Sequence, residues 1–171
     1  KTIMPIVLHG DGSHAGQGVV YESYDMSALP EYTVGGTMHI IVNNQVAFTT
    51  DPRFSRSSDY CTDVAKGVDA PIFHVNGDDV EAVCEAMKLA VEYRQAWKSD
   101  CVVDIVCYRK FGHNEIDEPM FTQPLMYQVI KKHPNVLDLY TKKLKSEGTV
   151  SDAEIDAVKE SCKAILNEEF E

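Results

Sequence analysis

Long apolar runs are missing from this sequence, and so is any cluster of lysine and arginine. No stretch reaches the roughly 20 residues that a membrane-spanning helix needs, and no signal peptide is visible. Positive charge is scarce: 16 Lys and Arg stand against 27 Asp and Glu, a net charge of −11. Without a basic patch, nucleic acid and anionic membranes are poor partners. The five cysteines (Cys61, Cys84, Cys101, Cys107, Cys162) are odd in number and follow no C-x-x-C or zinc spacing. They read as reduced, mostly buried thiols in a reducing compartment. There is no internal repeat and no low-complexity linker. A G-x-G-x-x-G phosphate fingerprint is absent too, since Gly16-Gln17-Gly18 lacks its third glycine, and this weakens a dinucleotide-binding reading.

What is present is an ordinary globular composition, 44% hydrophobic and 25% charged over 171 residues, enough for one domain or part of one. The chain opens almost at once on an apolar strand, without an initiator Met, and so reads as a piece of a larger polypeptide. That first run (Ile3, Met4, Ile6, Val7, Leu8) ends in His9-Gly10-Asp11-Gly12-Ser13. About 30 residues later a second run (Met38, Ile40, Ile41, Val42) ends in Asn43-Asn44-Gln45-Val46. Both have the length and β-branched content of buried strands. Polar ligand-type residues thus stand at the carboxyl ends of two strands, where open α/β sheets hold their ligands.

Asp11 and Asn44 are hard oxygen donors, and the Val46 carbonyl is within reach as a third. A small set of hard oxygens suits Mg²⁺, which keeps waters and shares its other positions with phosphate. Gly12 permits close approach of a ligand, and the amides of Gly12 and Ser13 precede an expected helix, where an anion would be held. Together the parts describe a Mg-diphosphate site. Taken singly, Asp-Gly is equally a tight turn and Asn-Asn an ordinary loop.

The remaining elements follow in order. A crossover helix is expected in the middle of 16–29, stopped by Pro30, and the second strand spans Thr37 to Asn43. The polar segment 49–58 reads as a surface loop or as a fold over the cofactor, with Arg53 or Arg56 near anionic groups. Pro71 to Val75 is a third strand. A helix then starts with Asp78 as N-cap and Glu81 as its capping-box partner. It carries Val80, Val83, Met87, Ala90, Val91 and Trp97 on one stripe. Cys101 to Tyr108 is the fourth strand, delivering the loop that holds His113, Glu115, Asp117 and Glu118. Helices are expected over 122–131, 136–147 and from the Ser151 cap onward, as packing elements. The order predicts a mostly parallel α/β sheet flanked by helices, with right-handed crossovers and C-terminal helices. We expect a core at 1–121 and a helical extension at 122–171.

The pairing of Gly10-Asp11-Gly12 with Asn43-Asn44 resembles the thiamin-diphosphate motif. The longer runs Gly16-Gln17-Gly18-Val19-Val20, Phe48-Thr49-Thr50-Asp51-Pro52-Arg53, Ala70-Pro71-Ile72-Phe73-His74-Val75-Asn76, Gly112-His113-Asn114-Glu115 and Thr122-Gln123-Pro124-Leu125-Met126-Tyr127 extend it. From about Ile3 to Tyr140 the chain resembles the decarboxylating first components of 2-oxoglutarate dehydrogenase complexes. The resemblance implies a thiamin-diphosphate-binding domain of the diphosphate (PP) type. It implies Mg²⁺ on Asp11, Asn44 and the Val46 carbonyl, with Gly12 and Ser13 at the diphosphate and His113 in cofactor or active-site contact.

The implied reaction is oxidative decarboxylation of 2-oxoglutarate, with the succinyl group passed to a lipoyl group on the complex's second component. A homodimer with a shared active site is implied, in the mitochondrial matrix or, for a bacterial source, the cytoplasm. The glutamate that activates the cofactor's aminopyrimidine and the substrate-binding histidines lie outside this stretch, so these residues alone should show no turnover. A 2-oxoadipate-type relative and a non-catalytic assembly module with the same fold are the alternatives; the Asp-Pro-Arg-Phe stretch looks more like the 2-oxoglutarate enzymes. Two departures stand out: Gly12 where the family commonly has Ala, and His14 where an apolar residue is expected.

Overall fold

The computed structural model describes residues 3–170. Four strands, β1 (Ile6–Gly10), β2 (Met38–Asn43), β3 (Ile72–Asn76) and β4 (Cys101–Val106), form one sheet in the order β1-β2-β4-β3. Every pair is parallel, with Gly10 beside Val42, Ile41 beside Asp104 and His74 beside Asp104. The expected α/β architecture is therefore present. Helices α1 (Asp11–Gly16) and α2 (Gly18–Met26) join β1 to β2, and α3 (Val80–Trp97) joins β3 to β4. Short 3₁₀ turns at Pro52–Phe54 and Asp63–Val68 lie between β2 and β3.

Strand alternation sorts the side chains onto two faces. On one, Ile41 and Val102 pack with Val20 and Tyr24 of α2 and with Cys61, Ala65 and Ala70. On the other, Met38, Val75, Cys101 and Val103 pack against Ala90 of α3, with Val83, Met87 and Val91 alongside. Each fully buried Ile or Val here contributes about 1.5–3 kcal/mol. Central β4 is buried through Cys101, Val102, Val103 and Asp104.

β1 departs from the buried strand that its composition suggests. It lies at the sheet edge, and Ile6, Val7 and Leu8 are exposed. The register places Ile6 and Leu8 on the face of Met38 and Ile40, and α3 packs chiefly on β3 and β4 and, less, on β2. Trp97, expected on the buried stripe of α3, is exposed, while Arg94 one turn earlier is fully buried. Arg94 Nε donates to the Gly36 carbonyl at 2.8 Å. The N-cap of α3 is Asp79, whose carboxylate accepts from Ala82 N–H at 3.1 Å, one residue later than expected. Asp78 N–H is taken by Asn76 Oδ1 in a turn, and the Asp78 carboxylate pairs with His133 at 2.7 Å.

All five cysteines are free; Cys61 and Cys101 are buried, Cys107 is half-buried, and Cys84 and Cys162 are exposed. The fully buried Cys61 thiol is pushed up to about 12, chiefly by burial. The chain divides into two compact units, Lys1–His133 and Pro134–Glu171. The first ends with α4 (Pro124–Ile130). The second holds α5 (Val136–Ser146), capped by Asn135, and α6 (Asp152–Phe170). Ser151 opens α6 with the reciprocal Ser–Glu154 bonds of a capping box. Among the described residues no helix is long and apolar enough to cross a membrane.

Candidate functional site

Because β1 and β2 are parallel neighbours, their carboxyl ends open on the same edge of the sheet. Asp11 follows β1 directly and Asn44 follows β2 directly. A second contact draws the two tips together: a Cβ on Gly12 would lie 2.5 Å from the Ala47 Cβ. Only a residue without a side chain lets the start of α1 approach the segment after Asn44 this closely. The chain beside Asp11 thus touches the chain beside Val46.

Asp11 is 2% exposed. Burial raises its pKa, against the amides of Asp11 and Gly12 and the positive charge of Arg56. A carboxylate withdrawn from water in this way calls for a cation. Asn44 Oδ1 accepts from Val46 N–H at 3.2 Å and retains a second lone pair. Among the described residues, no three His, Cys, Asp or Glu side chains gather as a metal cage. The protein offers one carboxylate, one carboxamide and a backbone carbonyl. That is a hard, incomplete oxygen set of the kind Mg²⁺ fills out with water and phosphate, so these residues fit the ion.

The anion-binding part differs in detail from expectation. Gly12 and Ser13 do not precede a helix; α1 begins at Asp11 itself, with Gly10 as an extended N-cap that makes no side-chain cap. Their amides therefore lie in the first turn, where backbone N–H groups lack helical partners. The Ser13 hydroxyl donates to the Gly10 carbonyl at 2.9 Å and braces that turn.

The segment after β2 separates two arginines that the sequence leaves equivalent. Arg53 is exposed and spent on Asp51, with Nε and Nη2 each 2.9 Å from the carboxylate. Arg56 is half-buried, and its Nε is shielded from solvent without a partner. Arg56, not Arg53, is the cation that acts on Asp11.

His113 lies in the loop after β4. Its Nδ1 is 2.8 Å from Asp117 Oδ2, and its backbone N–H donates to the same oxygen at 3.1 Å. That pair assigns the Nδ1–H tautomer and leaves Nε2 as an acceptor, 3.1 Å from Asn114 Nδ2. The backbone N–H of His113 is the main reason the Asp117 carboxyl is held below the usual range. A Cβ on Gly112 would lie 2.3 Å from the Asp117 carbonyl, so this tight loop requires glycine. The His113 ring packs on Phe48 at 4.2 Å between centroids. Arg109 Nη1 donates to the Phe48 carbonyl at 2.8 Å and Gln123 Nε2 to that of Thr49 at 2.9 Å. His113 is therefore fastened to the segment just past Val46 and meets it through Phe48. Beside this edge a hollow of about 460 Å³ is lined by Asn44, Gln45, Asn76, Cys107 and Tyr108 among others.

His14, which has no evident role in the sequence, is fully buried. Its Nδ1 lies 2.9 Å from the Cys61 carbonyl and its Nε2 2.9 Å from the Tyr24 hydroxyl, so both ring nitrogens are satisfied inside the core. It is a packing histidine. Asn43 and Asp104 are the residues that sequence reasoning passed over at this edge. The signal was an acid inside the apolar run Val102-Val103-Asp104-Ile105-Val106.

The family model for the dehydrogenase E1 component matches residues 1–171. The chain is 58% identical over 168 residues to 2-oxoglutarate dehydrogenase, mitochondrial, of Schizosaccharomyces pombe, covering 98% of the chain and 17% of that protein. It is 54% identical over 166 residues to the Saccharomyces cerevisiae protein of the same name, covering 97% and 16%. To that of Dictyostelium discoideum it is 53% identical over 171 residues, covering 100% and 16%. The chain thus spans about one sixth of the length of these curated relatives. With a matching model along its whole length and relatives above half identity, the chain belongs to the dehydrogenase E1 component family.

Proposed function

We propose that this chain is the diphosphate- and metal-binding part of a thiamin-diphosphate-dependent 2-oxoglutarate dehydrogenase. The observation that carries the reading is the meeting of two parallel strand tips, one bearing the buried Asp11 carboxylate and the other the Asn44 carboxamide. Asp11, Asn44 Oδ1 and the Val46 carbonyl hold Mg²⁺, and the amides of Gly12 and Ser13 face the diphosphate. His113, oriented by Asp117, contacts the cofactor from the neighbouring loop. The bound thiamin diphosphate supplies the decarboxylating chemistry, and the protein positions and shields it.

The substrate is 2-oxoglutarate, and the succinyl group passes to the lipoyl group of the complex's second component. The names of the relatives favour 2-oxoglutarate over 2-oxoadipate and place those relatives in mitochondria, which supports the mitochondrial matrix for this protein. The active site is shared across a homodimer, with the aminopyrimidine-activating acid on a part of the protein outside this chain. Calorimetric titration of the full-length enzyme with thiamin diphosphate, with and without Mg²⁺, tests the reading. Binding heat is expected with the metal and is lost in Asp11→Ala; unchanged binding in that variant removes the metal assignment. Tight metal-dependent binding without turnover in the complete complex would favour an assembly module.

A further inference from the structure

We propose that Asp104 is a positioning residue for the cation site, acting through Asn43 to fix the turn that presents Asn44 and Val46. This rests on the metal assignment above. Asp104 lies on the central strand β4, 1% exposed, on the sheet face shared with Asn43 of β2 and His74 of β3. Its Oδ1 accepts from Asn43 Nδ2 at 3.0 Å and its Oδ2 from His74 Nδ1 at 2.8 Å. A buried carboxylate is costly to desolvate unless hydrogen-bonded, and these two donors, with the Cys61 thiol 4.0 Å from Oδ1, answer that cost.

The chemistry of an acid, as opposed to an amide, decides what Asn43 does. An ionised carboxylate only accepts, so the Asn43 carboxamide must turn its NH₂ toward Asp104 and its oxygen away. That oxygen then accepts from Gln45 N–H at 3.2 Å. The Asn43 carbonyl accepts from Cys107 N–H at 2.8 Å, and Gln45 Nε2 donates to the Cys107 carbonyl at 2.8 Å. Both neighbours of Asn44 are thereby clamped to the end of β4. Gln45 is held at φ +65°, a left-handed conformation that a non-glycine residue adopts under such constraint. Asn44 sits between the clamps with its Oδ1 on Val46 N–H. An amide at 104 would accept Asn43 in either orientation, and the turn would lose its single setting. Partners that orient metal ligands in this way typically change metal affinity 10–100-fold when removed.

The test is Mn²⁺ binding to the full-length enzyme, read by electron paramagnetic resonance in saturating thiamin diphosphate, with unfolding temperature measured alongside. Asp104→Asn is expected to weaken Mn²⁺ binding by about 10-fold or more while staying folded. Asn43→Ala, which leaves the Asp104–His74 pair in place, should show a similar loss, and the double variant should be little worse than either alone. Should Asp104→Asn fail to fold, Asn43→Ala alone decides. Mn²⁺ affinity within about twofold of wild type in Asn43→Ala, or fully additive losses in the double variant, overturns the proposal. Asp11→Ala separates the two levels. If it loses Mn²⁺ while the 104 and 43 variants bind normally, only the positioning role fails. If it binds Mn²⁺ normally, the metal assignment itself falls.

Discussion

Gly12 and Ala47 share the space of a single methyl group. A Cβ built on Gly12 would sit 2.5 Å from the Ala47 Cβ, closer than carbon atoms tolerate, and a tight 3.2 Å from its Cα. This accounts for glycine at position 12: the methyl that fills this space is supplied by Ala47 from the other side. Gly12→Ala alone is expected to cost about 1–3 kcal/mol and to part the two strand tips. Gly12→Ala combined with Ala47→Gly should recover most of that loss. A double-mutant cycle by chemical denaturation measures the coupling, and simple additivity would show that the two residues do not compete.

His113→Ala is expected to raise the dissociation constant for thiamin diphosphate by about tenfold, the scale of one hydrogen bond to a charged group, or to slow decarboxylation. Asp117→Asn should produce a smaller change in the same direction, because it frees the ring that Asp117 Oδ2 now holds at Nδ1. Fluorescence titration of cofactor together with steady-state kinetics checks both. Wild-type behaviour in His113→Ala would end its role.

Acid should weaken the fold through His9. Its ring is pushed down to about 4, first by burial and then by repulsion from His14 and His39. Its Nε2 lies 3.0 Å from His39 Nδ1. Between pH 6.5 and 4 the unfolded chain takes up a proton at His9 that the folded chain refuses, so stability falls as pH falls through that window. Allowing for partial exposure, the loss between pH 7 and pH 5 is about 1–2 kcal/mol. Urea denaturation at the two pH values should show it in the wild type and show a flatter response in His9→Gln. Equal slopes would clear His9 of the effect.

Most of the architecture was legible along the chain, because helix and strand periods are local consequences of which residues must leave water. The two strands ending at Asp11 and Asn44, the helix α3 with Val83, Met87, Ala90 and Val91 toward the sheet, and the Ser151–Glu154 cap all lie where their patterns place them. Parallel pairing of β1 with β2 follows from a crossover between them, and it brings both polar tips to one edge.

Other features depended on what lies across from a residue, which no single stretch records. The same β-branched composition marks β1 and β4, yet one is an exposed edge and the other the buried centre, because strand order is a property of the whole sheet. Arg94 is buried because the carbonyls of Gly36 and Val34 accept from its guanidinium, whereas Trp97 stays exposed with the Tyr93 ring 6.4 Å away between centroids. His14 gains its meaning only from Cys61 and Tyr24. Asp104 gains its own only from Asn43 and His74, brought together by strand register over long sequence separations. The hard oxygen donors Asp11 and Asn44 were set by the sequence itself, since donor type is a property of each side chain. Which donors meet, and which neighbours hold them in place, was left to the tertiary structure, because distance and burial exist only once the strands are side by side.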